Sequence, residues 1–244
     1  MKRLRQSLLV CAVALISACA SASTPVFVAA AEAYKAGDYP TAALLFREAA
    51  LKRPSSGALQ NLGLSEWQRG QTGNAVLAWE QALWLDPFND AARENLRFAR
   101  KVAQLEALEL AWYEVVSSWL PVNWWAWVAG VSFWGAVAAG FLPGILRLRK
   151  AVWQQALAAA GLAVFLLSVP AHFGVDSRSR IGYVVQKEAA LRLTPTEHGQ
   201  LIARLPPGEP ARLERVRGRF FLIRTSSGQG WIEKNHFGLT CPKG

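Results

Sequence analysis

The residues of this 244-residue chain best suited to metal or nucleophilic chemistry are three histidines, His172, His198 and His236, and three cysteines, Cys11, Cys19 and Cys241. Their spacing gives them little to do. A zinc site needs Cys or His ligands paired a few residues apart, and these six supply neither a metal quartet nor a disulfide framework. The chain also lacks a glycine-rich phosphate loop and a serine set in a nucleophile elbow. No catalytic, cofactor-binding or metal-binding residue is assigned, and a non-enzymatic chain is expected. His198, followed by Gly199, reads as a solvated turn residue.

One spacing does carry chemistry, and it is recognition. Arg93, Arg97, Arg100 and Lys101 recur at i, i+4, i+7 and i+8, which lays a basic stripe along one helical face. The stripe reads either as a solvated face or as part of a groove for an acidic or C-terminal partner segment. The formal charge of +10 would first suggest nucleic acid. The N-terminus argues otherwise: Lys2, Arg3 and Arg5, an apolar run from Leu8 to Ile16 and small residues through Ser23 form the three-part plan of an export signal. An exported chain meets no DNA, so the surplus charge is expected to serve topology and contact with anionic envelope polymers or lipid headgroups.

The signal is expected over residues 1–22. Ala18-Cys19-Ala20 and Ala20-Ser21-Ala22 both offer small residues at the peptidase positions. Ile16-Ser17-Ala18-Cys19 instead resembles a bacterial lipobox, in which case Cys19 is acylated.

The stripe must be held by a larger element, and a repeat of 33 to 34 residues supplies it. Gly37, Ala42, Phe46, Ala49 and Pro54 align with Gly70, Ala75, Trp79, Ala82 and Pro87; the first copy adds Tyr39, and Leu59, Leu62 and Gly63 precede in the second. Small residues let paired helices approach, Phe46 and Trp79 fill the space between neighbours, and the prolines stop each second helix. The pattern resembles tetratricopeptide repeats over 24–118, with a capping helix beginning near Asp90 in DAARENLRFARKV. Val26, Ala29 and Ala30 replace the usual bulky residues at the start of the first copy. In that register Phe27, Tyr34, Gln60, Leu64, Trp67, Arg93, Arg97, Arg100 and Lys101 face the groove. Phe27, Ala31, Asp90 and Glu94 stand where a chaperone-type carboxylate clamp needs Lys, Asn or Arg.

Two uncharged stretches follow, expected as membrane-spanning helices over 120–146 and 151–172. Trp119, Trp124, Trp125 and Trp127 crowd the start of the first, as aromatic rings do at a headgroup boundary. Pro143 and Gly144 close it, and the turn 147–150 carries Arg147, Arg149 and Lys150. Positive charge in a short loop stays cytoplasmic, which predicts a multi-pass bacterial inner-membrane protein with both soluble regions on the periplasmic or outer side. Neither span holds an ionisable residue in its interior to carry ions or protons.

Asp176 to Arg180 reads as a polar linker, after which the periodicity becomes strand-like. Alternation in Ala190 to Leu193, Ala211 to Glu214 and Phe221 to Arg224 predicts half-buried strands. GEPARL as the opening of a second strand, the Phe220–Phe221 pair and the closing Gly230-Trp231-Ile232 make 181–240 resemble a bacterial SH3 domain, a small all-β barrel. The expected fold class is thus a multidomain membrane protein: an all-α helical array, a transmembrane hairpin and a small all-β barrel.

The order of signal, repeat pair, hairpin and SH3-type segment resembles the BatE proteins of the Bacteroides aerotolerance type. That resemblance implies an envelope stress or aerotolerance complex with von Willebrand factor A domain proteins and a MoxR-type ATPase. The expected role is an adaptor presenting two binding modules, with a cell-wall sensor whose SH3-type domain holds peptidoglycan as the alternative.

Overall fold

The computed structural model describes residues 25–145 and 152–241. The expected signal with Cys19, and the turn carrying Arg147, Arg149 and Lys150, lie outside the described residues.

Five helices open the chain: α1 (Pro25–Lys35), α2 (Tyr39–Lys52), α3 (Ser56–Gln68), α4 (Thr72–Leu85) and α5 (Asp90–Val102). Side-chain caps fix three of their starts. Asp38 accepts from the Thr41 N–H at 3.1 Å, Ser55 from Ala58 at 3.3 Å and Asn89 from Ala92 at 3.0 Å. Pro54 and Pro87 lie just beyond the ends of α2 and α4, where a further turn cannot form. Successive helices pack side by side around Phe46, Leu59, Leu62, Val76, Trp79 and Leu96, all buried. Gly63 makes the tightest approach: a Cβ there would lie 2.4 Å from the Trp79 indole nitrogen. The same indole N–H donates to the Gln60 carbonyl at 3.2 Å.

A short helix, α6 (Trp112–Ser117), leads into α7 (Val122–Ile145) and α8 (Val152–Ser179). Both are long and apolar enough to span a membrane. At 1.5 Å per residue α7 runs about 36 Å and α8 about 42 Å, against a hydrocarbon core of about 30 Å. They lie together, with Phe133 and Phe165 rings 5.2 Å apart, and turn Trp127, Val131, Trp134, Phe141 and Leu167 outward. Trp119, Trp124 and Trp127 are exposed, whereas Trp125 turns inward and donates to the Ser117 carbonyl at 3.1 Å.

The expected polar linker from Asp176 is instead helical. α8 continues to Ser179 and passes through Arg180 directly into β1. Ser177 and Arg178 there meet distant partners, Glu114 and Ser117, while Asp176 and Arg180 pair one turn apart, which together hold the segment helical. Seven strands follow: β1 (Ile181–Val184), β2 (Ala189–Arg192), β3 (Leu201–Leu205), β4 (Pro210–Arg217), β5 (Phe220–Thr225), β6 (Gly228–Glu233) and β7 (Phe237–Leu239). They form one antiparallel sheet in the order β3-β2-β6-β5-β4-β1-β7. Leu205 of one edge strand and Phe237 of the other share a core with Leu191, Ile223 and Ile232, so the sheet curls on itself. GEPARL opens the fourth strand rather than the second, because β1 and the β2–β3 hairpin precede it.

The sheet and the helical array are one body. Ile181 and Tyr183 of β1 belong to the core of the array, while Val184 belongs to the core of the sheet. A buried carboxylate ties this body to α8. Glu114 of α6, 0% exposed, receives both guanidinium nitrogens of Arg212 on β4 at 2.6 and 2.7 Å. The Ser177 hydroxyl of α8 donates at 2.5 Å and the Ala111 N–H at 2.8 Å. Burial would raise the Glu114 carboxyl, but these hydrogen bonds and the Arg212 charge hold it down at about 2. Ionised Glu114 therefore stabilises the fold above its ordinary value of 4.5, and that contribution is lost as pH falls toward 2. At about 1.4 kcal/mol per unit the contribution is about 3 kcal/mol. Thermal unfolding in detergent, followed by tryptophan fluorescence, should show a Tm that drops between about pH 5 and pH 3. Glu114→Gln should start from a lower Tm and show a smaller drop.

Candidate partner-binding site

The basic stripe sits on a helix whose ends suit it. α5 begins with the Asn89 cap and Asp90 and finishes with Arg100 and Lys101, each charge complementing the helix dipole. Ala92, Leu96 and Ala99 anchor it in the core. Arg93, Arg97 and Arg100 then line a cavity of about 460 Å³ where the array meets the sheet. Glu80, Leu83 and Trp84 of α4, Leu108 and Leu110 of the 103–111 segment, Arg178 of α8, Ile181 and Tyr183 of β1, and Thr240 complete the lining.

Each charged group has a definite setting. Arg100 pairs with Glu80, which also accepts the Tyr183 hydroxyl at 2.7 Å. Burial and the Glu80 charge push the Tyr183 phenol well above its ordinary range, so it stays a donor. Arg178 lies over the Trp84 ring, 5.2 Å from its centre, and donates to the Ser117 hydroxyl at 3.3 Å. Arg93 pairs with Asp90 at 2.5 Å and also reaches the Pro87 carbonyl. Arg97 has no ion-pair or hydrogen-bond partner among the described residues. Thr240 is 5% exposed, and its hydroxyl has no hydrogen-bond partner among them. Four guanidiniums against Glu80 leave a net positive cavity. Guanidiniums and a protonated phenol supply charge and hydrogen-bond donors there.

The other expected groove residues lie elsewhere. Phe27 packs edge-on against Phe46 with centroids 5.4 Å apart, and Tyr34 against Tyr39 at the same distance. Trp67 sits between Trp79 and Phe98, while Leu64 is half-buried on the array core and Gln60 lends its carbonyl to Trp79. None of these five lines the basic cavity, and Lys101 is exposed outside it. The expected groove therefore divides into an aromatic part on α1 and α3 and a basic part facing the sheet. His172 lies on α8, His198 in an exposed loop and His236 in a turn, and no three His, Cys, Asp or Glu among the described residues could hold a metal ion.

Glu80, Tyr183, Arg178 and Thr240 were not anticipated. The Asp176–Arg180 pair, four residues apart at 3.1 Å, is the sequence signal that α8 extends far enough to deliver Arg178. Nothing local marks Glu80 or Thr240.

No protein-family model matches the chain, and no curated protein matches it at a significant level.

The cavity exists only while the seam beside it stays closed. Gly73 of α4 lies against β1, and a Cβ there would stand 2.5 Å from the Val184 carbonyl oxygen and 2.7 Å from that of Val185. Both are backbone atoms that cannot swing aside. Gly57 of α3 has open space around it and makes a matched control. Gly73→Ala should cost about 1–3 kcal/mol and speed protease cleavage in the 103–111 segment. Gly57→Ala should be neutral or stabilise by up to about 1 kcal/mol. Thermal unfolding and limited proteolysis of the two variants provide the measurement.

Proposed function

We propose that this chain is a non-enzymatic scaffold of the bacterial inner membrane, anchored by a two-helix hairpin and presenting its fused helical and sheet body to the periplasmic or outer side. The observation that carries the reading is the seam. Residues before α7 and after α8 pack on each other through Ile181, Tyr183 and the Glu80 link, so a membrane-crossing α7–α8 pair leaves both on one face. The basic run Arg147, Arg149 and Lys150 between the helices supports the cytoplasmic side for the turn.

In this reading α1–α4 are two tetratricopeptide repeats, supported by Phe46 and Trp79, 33 residues apart (79 − 46), filling equivalent buried positions, and α5 is the cap. The curled sheet is an SH3-type domain. The order of parts favours a BatE-type adaptor in an envelope stress or aerotolerance complex, with envelope proteins such as von Willebrand factor A domain proteins as partners. A wall-sensing role is favoured by one feature, the exposed Arg215, Arg217 and Arg219 around the β4–β5 hairpin, which suit an anionic polymer such as peptidoglycan. Co-sedimentation of the purified chain with cell-wall material separates the two, since an adaptor stays in solution.

Topology is directly measurable. With Cys241 replaced by serine, Glu48→Cys on α2 and Ser227→Cys in the β5–β6 turn should react with a membrane-impermeant maleimide applied from the periplasmic side. Leu148→Cys should react only after the membrane is permeabilised. The reverse pattern overturns the orientation, and labelling of Glu48→Cys and Ser227→Cys from opposite sides overturns the hairpin.

A further inference from the structure

The scaffold reading leaves open what the seam cavity holds, and its lining is specific enough to say. One wall is the guanidinium row of α5. At 1.5 Å rise per residue, Arg93 and Arg97 stand about 6 Å apart along the helix and Arg97 and Arg100 about 4.5 Å. The remaining walls are mainly apolar: Leu83 and Trp84 from α4, Leu108 and Leu110 from the 103–111 segment, and Ile181 from β1. An extended peptide places alternate side chains on one face at about 6.7 Å, close to the spacing of the first pair of arginines. Its intervening side chains point the other way.

Inorganic phosphate would satisfy part of the guanidinium row and leave the apolar walls of a 460 Å³ cavity unfilled. A phosphatidylglycerol headgroup carries a single phosphate and would engage one end of the row. An alternating acidic and apolar peptide engages both kinds of wall.

Two groups are already set for such a ligand. Arg97 is exposed and unpaired among the described residues, so no existing ion pair must break for it to bind. The Thr240 hydroxyl is buried in the lining without a partner, a state that costs free energy unless something completes it. The Arg93–Asp90 pair is a surface contact of small worth and can be exchanged for a ligand carboxylate.

We infer that the cavity between the helical array and the sheet binds an extended segment of a partner protein with alternating acidic and apolar side chains, its carboxylates facing Arg93, Arg97 and Arg100 and one of them meeting the Thr240 hydroxyl. The inference rests on the scaffold reading for the existence of a protein partner. It moves the recognition surface from the aromatic groove of α1 and α3 to the seam.

The probe is a fluorescein-labelled hexapeptide of alternating glutamate and leucine, titrated by anisotropy against the full-length chain in detergent micelles. The control peptide has glutamine for glutamate. Binding should weaken with added salt and be at least about tenfold weaker for the glutamine peptide and for Arg97→Gln, the loss expected for one charge-assisted hydrogen bond. Thr240→Val should weaken binding severalfold while leaving Tm unchanged or raised, since it removes an unsatisfied buried hydroxyl. A purely structural threonine would lower Tm and leave binding alone.

Equal affinity for the two peptides overturns the proposal, as does no binding of the acidic one or no effect of Arg97→Gln. Displacement by equimolar inorganic phosphate would make the cavity a simple anion site. Displacement by phosphatidylglycerol vesicles would make it a lipid site, and either result overturns the peptide assignment. Binding in micelles does not depend on which side of a membrane the body faces. Failure here therefore leaves the maleimide-labelling result standing, and the converse holds as well.

Discussion

A stack of paired helices always ends in an apolar face that the next helix would have covered. Here α4 and α5 present that face, and no sixth array helix follows. β1 takes its place, sending Ile181 and Tyr183 into the array core while Val184, one residue further along, enters the core of the sheet. A single strand buried on both sides thus serves two periodicities at once. Without it the array core would lose Ile181 and Tyr183, and the sheet would lose the strand that pairs with both β4 and β7. The cavity follows from the same substitution, because a narrow strand covers less of α5 than a helix would and leaves the arginine row open.

Glu114 extends this dependence toward the two long apolar helices. A carboxylate with no solvent exposure is tolerable only when hydrogen-bonded on every side. The donors come from two elements, α8 and β4, and from the backbone at Ala111. Helix α8 is therefore held both by its covalent continuation into β1 and by a charged cluster two residues before its end.

Much of this was readable from sequence where the signal is local. Asn89 and Asp90 announced the start of α5, Pro54 and Pro87 the ends of α2 and α4, and an uncharged run the two long helices. Alternation marks the segments that form β2, the start of β4 and β5. The failures share a cause. Asp176 to Ser179 looks like linker because its residues are polar, but Ser177 reaches Glu114 63 residues away, and composition cannot distinguish a distant partner from water. Strand β1 shows no alternation because all four of its residues are buried, and β3 is mostly exposed, so neither reads as a strand and GEPARL comes second in the sequence reading though fourth in the fold. The Glu80–Tyr183 bond spans 103 residues and two kinds of secondary structure, and no period encodes it. The groove was divided wherever its assignment depended on what covers α5.

The seam also bears on how the chain is built. The array is synthesised first and must wait, its last face uncovered, until two long apolar helices have been made and β1 has emerged behind them. If α7 and α8 enter a bilayer as a pair, β1 arrives on the side where the array is waiting, and Tyr183 can find Glu80. If only one of them crosses, the strand is delivered to the opposite compartment and neither half can complete its core. For a chain inserted in this way, folding of the body would act as a proofreading step, since a misinserted chain would leave apolar surface uncovered on both sides of the membrane.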